Sequence, residues 1–407
     1  MANSRILYIS YDGATDPLGQ SQIIPYLKKL AKINVEYTLI TFDKPSCRNK
    51  PIFNTIKQEL SESGIKWTSL RYHKNPKVLA KLYDISMGVM VGSFLLKRNK
   101  ITIIHGRSFV GAFVALILKR LFKTEFLLDY RGLWADERVD GGLWPRDGLL
   151  YKVSKYIERI LLINADEVVV LTERAKKAIQ DFPYLEKRNF KIEVIPTSAD
   201  LKLFNFNLRS RALPEDSALN LVYVGSLGTW YMLDEMVDFF VELHKTFLKS
   251  HFLFLTPTKE HNIEETMMRN GISGGSYSIK NVYYADVPRL LANVDMSIFF
   301  IKPLFSKISS CPTKFGESLA CGLPVIINSG IGDCDEIVRE KKIGVVVNRF
   351  SADEYRGAIS ELSKLLRNKE KLSQRCRNTA EEIFSLDKAA DSYQRIYNRL
   401  YTGEAKL

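Results

Sequence analysis

The chain has 407 residues, of which 46% are apolar and 11% aromatic, and its formal net charge is +13. This composition excludes a disordered or low-complexity protein, and the length predicts two or three domains. The five cysteines form no CxxC pair, which argues against a disulfide scaffold or a zinc site. We expect no signal peptide, because the first residues run directly into a strand-like stretch.

The excess positive charge is concentrated in Lys66–Lys123, which has 12 basic residues and one acid, Asp84. A positive electrostatic field confined to one segment favours phosphate groups, an anionic membrane surface or nucleic acid as the partner. The alternative is a basic face that is only solvated. The apolar residues of this segment recur at helical spacing at Val78, Leu82, Ile85, Val89 and Leu96. We expect these faces to pack mostly on a sheet. No uncharged helical run reaches the roughly 18 residues of a membrane span.

Strand-like runs alternate with helical stretches along the whole chain. In the first half the predicted strands are Arg5–Ser10, Val35–Phe42, Lys66–Leu70, Ile101–Gly106, Glu125–Tyr130, Glu167–Thr172 and Lys191–Pro196. In the second half they are Asn220–Ser226, His251–Pro257, Asn281–Asp286, Met296–Ile301, Pro324–Asn328 and Gly344–Asn348. Apolar strands that alternate with helices predict an α/β fold with two doubly wound parallel sheets.

Three segments follow from this alternation. Residues 1–198 form the first domain and residues 199–384 the second, with the polar stretch Asn205–Ser217 after the boundary. Residues 385–407 contain a last helix, about Leu386–Tyr401, with an apolar stripe that suits packing on either domain.

Ligands of open parallel sheets bind beyond the carboxyl ends of the strands, so the loops there are the first candidates for a binding site. The loop after the first strand is bracketed by Gly13 and Gly19, and Ser21 is predicted as a helix N-cap. Small residues let backbone amides approach a phosphate, although loop glycines are also ordinary turn residues. Neither a GxGxxG nor a GxxxxGK pattern is present, which argues against a dinucleotide-dependent oxidoreductase and a P-loop.

Two further strand ends of the first half carry polar side chains. His105, which we expect at a carboxyl end, is a candidate hydrogen-bond partner for a substrate hydroxyl, and a structural histidine is the alternative. The next strand leads into DYRGLWADERVDGGLW, where Asp129, Arg131, Trp134 and Glu137 lie within nine positions. Such a cluster is typical of a polar-ligand site, and a salt-bridge network is the alternative.

The segment SSCPTKFGESLACGLPVI, residues 309–326, is the strongest candidate in the second half. Hydroxyls of Ser309, Ser310 and Thr313 precede a helix that begins after Pro312. Lys314 lies in the first turn, where its positive charge is unfavourable beside the positive end of the helix dipole unless an anion compensates it. These groups predict a pyrophosphate site that needs no metal, with Glu317 accepting hydrogen bonds from a ribose.

The Asp333-Cys334-Asp335 sequence has the spacing of a DxD metal motif. Acidic residues at the positive end of a helix dipole are the favoured interpretation, so we expect no metal site.

Taken together, YDGATDPLGQSQIIPYL, VIPTSADLKLF, LVYVGSLG and the 309–326 segment resemble the retaining, nucleotide-sugar-dependent glycosyltransferases of family 4, which have the GT-B fold. The resemblance implies two Rossmann-like domains that face a central cleft, the first for the acceptor and the second for the donor. It also implies a C-terminal helix that crosses back to the first domain, and no cofactor or metal.

The resemblance assigns roles to the candidate residues. Catalytic roles fall to His105, Lys314 and Glu317, and the implied donor-binding residues are Gly13, Gly19, Gly225, Ser226, Ser309, Ser310, Thr313, Lys314 and Glu317. The implied acceptor-binding residues are Arg107, Asp129, Arg131, Trp134 and Glu137. The sequence departs from the family where Ser309 replaces the first of two glutamates, and GSLGTWYMLDE lacks the basic residues usual there.

The function so predicted is retaining transfer of a hexosyl or N-acetylhexosaminyl group from a nucleotide-sugar to a glycan or a polyprenyl-diphosphate-linked acceptor. The setting we expect is bacterial surface-polysaccharide or glycoconjugate synthesis in the cytoplasm, including the cytoplasmic face of the membrane, which the basic first domain would contact. One alternative is a GT-B relative that binds, epimerises or hydrolyses a nucleotide-sugar without transfer. A nucleic-acid-binding protein is disfavoured, because the basic segment is interleaved with aliphatic runs.

Overall fold

The computed structural model describes residues 4–33, 35–186, 191–205, 219–258 and 260–403. The chain divides into two compact units, of which the first is Met1–Pro196 together with Leu386–Leu407 and the second is Thr197–Ser385. The predicted linker lies outside the described residues except for Asn205.

The first unit is built on a seven-stranded parallel sheet with the strand order β3-β2-β1-β4-β5-β6-β7. Its strands are β1 Ser4–Ser10, β2 Val35–Asp43, β3 Lys66–Arg71, β4 Ile103–Arg107, β5 Glu125–Asp129, β6 Glu167–Val170 and β7 Lys191–Val194. Its helices are α1 Pro17–Gln22, α2 Ile24–Ala31, α3 Pro45–Arg48, α4 Pro51–Glu62, α5 Lys77–Asn99, α6 Ser108–Phe122, α7 Trp134–Asp140, α8 Leu149–Asn164 and α9 Glu173–Gln180.

The second unit has a six-stranded parallel sheet with the order β10-β9-β8-β11-β12-β13. Its strands are β8 Asn220–Val224, β9 His251–Leu255, β10 Tyr277–Lys280, β11 Met296–Phe299, β12 Val325–Asn328 and β13 Gly344–Val347. Its helices are α10 Leu233–Thr246, α11 Glu260–Arg269, α12 Val287–Leu291, α13 Thr313–Ala320, α14 Cys334–Lys341, α15 Ala352–Leu366 and α16 Lys369–Ile383.

Both sheets follow the doubly wound pattern, which confirms the predicted fold class. The central strands are continuous apolar runs because helices cover both faces; every residue of β4, β11 and β12 is buried. Chain order reverses between β1 and β4 in the first sheet and between β8 and β11 in the second. Such switch points are where parallel sheets bind ligands, beyond the carboxyl ends of the strands.

The last helix, α17 Leu386–Thr402, belongs to the first unit, as predicted. Its apolar stripe, which includes Tyr393, Ile396 and Tyr397, lies in the core of that unit with at most 3% exposure. Arg399 fixes the helix end through hydrogen bonds to the carboxylates of Glu167 and Glu193. The helix is therefore an integral part of the first unit, although the residues of the second unit lie between it and the rest of the first unit in the sequence.

One predicted strand, Asn281–Asp286, is wrong. The strand lies earlier, at Tyr277–Lys280, and Tyr284–Asp286 forms a 3-10 turn. The aromatic and β-branched residues of NVYYADV resemble a strand, yet Tyr283 is 84% exposed. The true strand is half-buried at the sheet edge, so its sequence YSIK gives only a weak apolar signal.

Helix α5 also differs from expectation. Its buried stripe is Ala80, Asp84, Gly88, Gly92 and Leu96, whereas Val78 and Leu82, expected to face the sheet, are each 54% exposed. The small residues allow close packing on α6, because a Cβ on Gly92 would lie 2.6 Å from Leu118 Cδ1. The large apolar side chains are therefore left on the outer face.

Within the described chain, α5 is the one helix that is long and apolar enough to cross a membrane by length and composition, with a mean hydropathy of 1.4 over its best window. The buried stripe packs against α6 and the β1–β3 edge, which keeps α5 part of the sheet's covering layer.

Candidate functional site

The candidate donor site lies at the start of α13 in the second unit. The helix begins at Thr313 with Pro312 as its N-cap residue, so the first amides of the helix have no partner within it. Lys314 occupies the first turn and is 7% exposed. Its Nζ atom has no hydrogen-bond partner among the described residues. A buried ammonium group without a hydrogen-bond partner is costly, so an anion beside it would be stabilising.

Aromatic rings enclose the Lys314 ammonium group. Its Nζ atom lies 3.7 Å from the ring centre of Tyr231 and 4.0 Å from that of Tyr223. The Tyr223 hydroxyl donates a hydrogen bond to the Ser226 carbonyl. The ring faces stabilise a cation without neutralising it. The rings thereby hold the lysine at the carboxyl end of β8.

The electrostatics of this site depend on burial. Burial lowers the pKa of Lys314 well below its usual value of 10.5, and Glu317 opposes that shift only in part. Burial likewise raises the pKa of Glu317 to about 7, although a hydrogen bond from Tyr284 Oη at 2.6 Å and the charge of Lys314 act against it. Two buried titratable groups one helical turn apart, with opposite shifts, are characteristic of functional sites.

Gly225, which follows β8, approaches the lysine closely. Its φ angle is +113°, a conformation that favours glycine, and a Cβ there would lie 3.2 Å from Lys314 Nζ. Glycine at position 225 therefore lets the backbone lie close to the ammonium group, where a side chain would crowd it.

The three hydroxyl residues before α13 differ in their placement. Ser309 is 2% exposed and donates to the Ser306 carbonyl at 2.8 Å, so its hydroxyl faces inward, contrary to a donor-binding role. Ser310 and Thr313 are partly exposed at the helix start. Lys307, which the sequence analysis did not select, is buried with its Nζ 3.7 Å from the Trp230 ring centre.

The Asp333-Cys334-Asp335 sequence starts α14, as its favoured interpretation predicted. Asp335 accepts hydrogen bonds from Gly330 N and from Arg339. No cluster of three or more His, Cys, Asp or Glu side chains occurs in the part of the chain that the structure describes.

In the first unit, His105 lies in the middle of β4 rather than at its end, because the strand continues to Arg107. It is 1% exposed and packs between Tyr8 and Tyr393. Its Nδ1 atom is 2.7 Å from the Tyr397 hydroxyl on α17, and its Nε2 atom is 3.4 Å from Asp129. This enclosed position is that of a structural histidine, the alternative that the sequence left open.

Asp129 is the centre of a buried charge cluster. Its carboxylate lies 3.3 Å from Arg107 and 3.6 Å from Arg131. Burial by itself would raise the pKa of Asp129, but Arg131, His105 and Arg107 outweigh it and hold the pKa below its usual value. Burial lowers the pKa of His105 despite Asp129. The cluster is a salt-bridge network at the ends of β4 and β5.

The loop after β1 is held tightly within the first unit. A Cβ on Gly19 would lie 2.2 Å from the Gly13 carbonyl oxygen, so close approach explains Gly19 without a ligand. Asp43, which is fully buried, accepts hydrogen bonds from both the amide and the hydroxyl of Thr15. The predicted N-cap Ser21 is wrong: Asp16 occupies that position, and Ser21 donates to the Pro17 carbonyl inside α1.

A cavity of about 250 Å³ opens at the β1/β4 switch point of the first unit. Of the predicted acceptor residues only Trp134 is among those that line it. Its other lining residues include Tyr11, Asp12, Lys44, Tyr72, Lys81 and Arg138. The sequence analysis missed this set because its members come from six separate segments, although Lys81 belonged to the basic segment.

The outer face of α5 carries exposed apolar side chains along its whole length. We call this set, Leu79, Leu82, Tyr83, Met90 and Phe94, the α5 surface; each member is 54–65% exposed. Exposed lysine and arginine side chains follow at Lys97 and Arg98. Large apolar faces that remain exposed mark sites of interaction with a protein or a membrane.

Residues 206–383 match the model of the family described as Glycosyl transferases group 1. The matched range lies within the second unit. A search of curated proteins finds no match.

Solved structures with the same fold cover nearly the whole chain. A sucrose-phosphate synthase from Thermosynechococcus elongatus has a TM-score of 0.73 at 16% identity, with 98% of this chain and 100% of that chain covered. A glycosyltransferase from Rickettsia africae gives 0.71 at 16% identity, with 98% and 99% covered. Anabaena HepE in complex with UDP-glucose gives 0.68 at 12% identity, with 99% and 100% covered. These similarities show the GT-B fold, and with the family match they support a glycosyltransferase.

Proposed function

We propose that the protein transfers a sugar from a nucleotide-sugar to an acceptor, and that the donor diphosphate binds at the start of α13. The observation that carries the proposal is the Lys314 ammonium group, which is buried, caged by aromatic rings and without a hydrogen-bond partner in the described chain. A diphosphate supplies the missing negative charge, and the amides of a helix start favour an anion. Solved structures of the same fold hold UDP and UDP-glucose, which supports a uridine nucleotide as the first donor to test.

The neighbouring groups suit the rest of such a donor. Gly225 lies close to the same ammonium group, and Thr313, the first residue of α13, offers a partly exposed hydroxyl. Glu317, one turn further along α13, is the candidate acceptor of ribose hydrogen bonds. Its pKa of about 7 makes its charge, and therefore ribose binding, sensitive to pH near neutrality.

The transfer we propose retains the configuration of the sugar, as the family resemblance implies. The acceptor oxygen attacks the anomeric carbon on the face from which the diphosphate leaves, the bond from that carbon to the diphosphate breaks, and the acceptor proton passes to the departing phosphate. Lys314 stabilises the charge that develops there. We assign His105 a structural role because its ring is enclosed, and we expect no metal requirement.

A direct test combines binding and product analysis. A thermal-shift screen against nucleotide-sugars should identify a donor that raises the melting temperature, because a ligand of the native state stabilises it. Incubation of that donor with and without a polyprenyl-diphosphate acceptor then separates the functions by product. A glycosylated acceptor supports transfer, whereas free sugar or an epimerised donor formed equally in both samples contradicts it.

We further propose that the acceptor is lipid-linked and that the protein attaches peripherally to the cytoplasmic face of a bacterial membrane, in surface-polysaccharide or glycoconjugate synthesis. The α5 surface and the basic residues that flank it support this proposal, since apolar side chains enter the interface while lysines contact anionic headgroups.

Sedimentation with vesicles tests membrane attachment. We expect binding to phosphatidylglycerol-containing vesicles that salt weakens, and a large loss of binding for the Leu79→Ser/Phe94→Ser variant. The matched control is Leu248→Ser, because Leu248 is 76% exposed in the second unit. Equal sedimentation of the double variant and the control would refute the role of α5.

A further inference from the structure

Two cationic side chains that line the cavity at the β1/β4 switch point lie beside the same aromatic ring, that of Trp134. Lys81 Nζ lies 5.1 Å from the ring centre of Trp134, and the Arg138 guanidinium carbon lies 4.8 Å from the same centre. Both side chains are partly buried, and both line the cavity. Like charges brought together beside one ring repel each other, so an anion between them would be favoured.

Two carboxylates close to the cavity, those of Asp84 and Asp16, already accept hydrogen bonds from other groups of the protein. Asp84, one turn after Lys81, accepts hydrogen bonds from the Tyr11 hydroxyl and the His73 amide, and it faces the His73 ring. Asp16 pairs with Lys44 and accepts from the Gly13 amide. Of the lining acids this leaves Asp12, which suits hydroxyl groups of a ligand. Burial and the charge of Arg138 lower the pKa of Lys81, as expected for a cation that lacks a strong partner.

The position of Lys81 on α5 connects the cavity with the α5 surface. Leu79, Leu82 and Tyr83 lie within two residues of Lys81 and are exposed. The same two helical turns thus present apolar side chains outward and a cation to the cavity. A ligand with a phosphate attached to a hydrocarbon chain matches both features, whereas a free sugar matches neither. The volume of about 250 Å³ lies just below the roughly 300–1,000 Å³ of small-ligand sites, which suits one polar headgroup.

We propose that this cavity binds the phosphate groups of a lipid-linked acceptor, with Lys81 and Arg138 as the phosphate ligands and the first turns of α5 in contact with the lipid. The inference rests on the proposed glycosyl transfer and specifies its acceptor. Trp134 positions the two cations, and Asp12 accepts hydrogen bonds from hydroxyls of the headgroup sugar.

Equilibrium titration with farnesyl diphosphate tests the proposal, with inorganic pyrophosphate as the lipid-free comparison. Both titrations use the Lys314→Met background, so that anion binding in the second unit does not contribute. Charge-assisted contacts predict about a tenfold loss of affinity for Lys81→Met or Arg138→Gln and about a hundredfold loss for the double variant. The control is Lys57→Met, an exposed lysine on α4. Lys81→Arg should bind nearly as well as the parent, and circular dichroism verifies that each variant folds.

Several results would overturn the proposal. They are unchanged affinity in the double variant, no binding of farnesyl diphosphate by the parent, or equally tight binding of pyrophosphate, which would indicate a free-anion site. Titration of UDP into the same variants with Lys314 restored reports on the proposed function separately. If UDP fails to bind, the donor proposal fails, while the farnesyl diphosphate titration still decides the cavity.

Discussion

Replacement of Lys314 by methionine should separate stability from function. The change removes an ammonium group that is 7% exposed and has no hydrogen-bond partner in the described residues, and it keeps most of the side-chain volume. The two tyrosine rings stabilise the cation by about 0.5–2 kcal/mol each, whereas burial of an unpaired charge costs several kcal/mol. We therefore expect Lys314→Met to be as stable as the parent or more stable, by up to about 1–3 kcal/mol at pH 7.

The sign of the pH dependence follows from the lowered pKa. Between the lowered pKa of folded Lys314 and its usual value of 10.5, the unfolded chain binds one more proton than the folded chain, so the free energy of unfolding of the parent rises with pH. The variant lacks this contribution. Its stability advantage should therefore be largest at low pH and shrink as pH approaches 10.5.

The effect of Lys314→Met on activity should be opposite to its effect on stability. Loss of one electrostatic donor to the leaving group should lower turnover by about 100-fold or more, roughly 2.7 kcal/mol. Urea unfolding at several pH values, with sugar-transfer assays on the same samples, measures both effects. The control is Lys364→Met, an exposed lysine on α15. A variant that is less stable than the parent but fully active would refute this account of Lys314.

Three further changes test the surrounding groups. Because the pKa of Glu317 is raised from 4.5 to about 7 in the folded chain, the folded chain binds more protons than the unfolded chain between these pH values, and stability falls as pH rises through this interval. Glu317→Gln should abolish this pH dependence of the free energy of unfolding, which urea unfolding measures. Gly225→Ala should cost about 1 kcal/mol or more at its φ of +113° and weaken UDP binding, which calorimetry measures, whereas Gly357→Ala on helix α15 has space for the methyl group and should do neither. A chelator should leave the rate of transfer unchanged, and a rate restored only by added Mg²⁺ would contradict the proposed metal independence.

The sequence predicted the fold well because its signals were local. Apolar strands such as β4, β11 and β12, separated by helical stretches, are enough to specify two doubly wound sheets. The start of α13 followed from Pro312 and the residues after it. The stripe of α17 showed that the helix is buried, whereas its place in the first unit came from the family resemblance.

The errors arose where tertiary packing decides. Glycines at 88 and 92 make the small-residue face of α5 the buried one, which an apolar pattern cannot reveal. His105 looked like a strand-end residue until the strand proved to continue to Arg107. The cavity that contains Lys81 and Arg138 gathers residues from distant segments, so no local motif marks it.

The central claim is that Lys314 binds the diphosphate of the donor. Calorimetric titration of UDP and of uridine into the parent and into Lys314→Met tests it most directly, because the two ligands differ only in the diphosphate. The account predicts that UDP affinity falls by about 10–100-fold in the variant while uridine affinity is unchanged. Equal UDP affinity in both proteins, or an equal loss for both ligands, would contradict it.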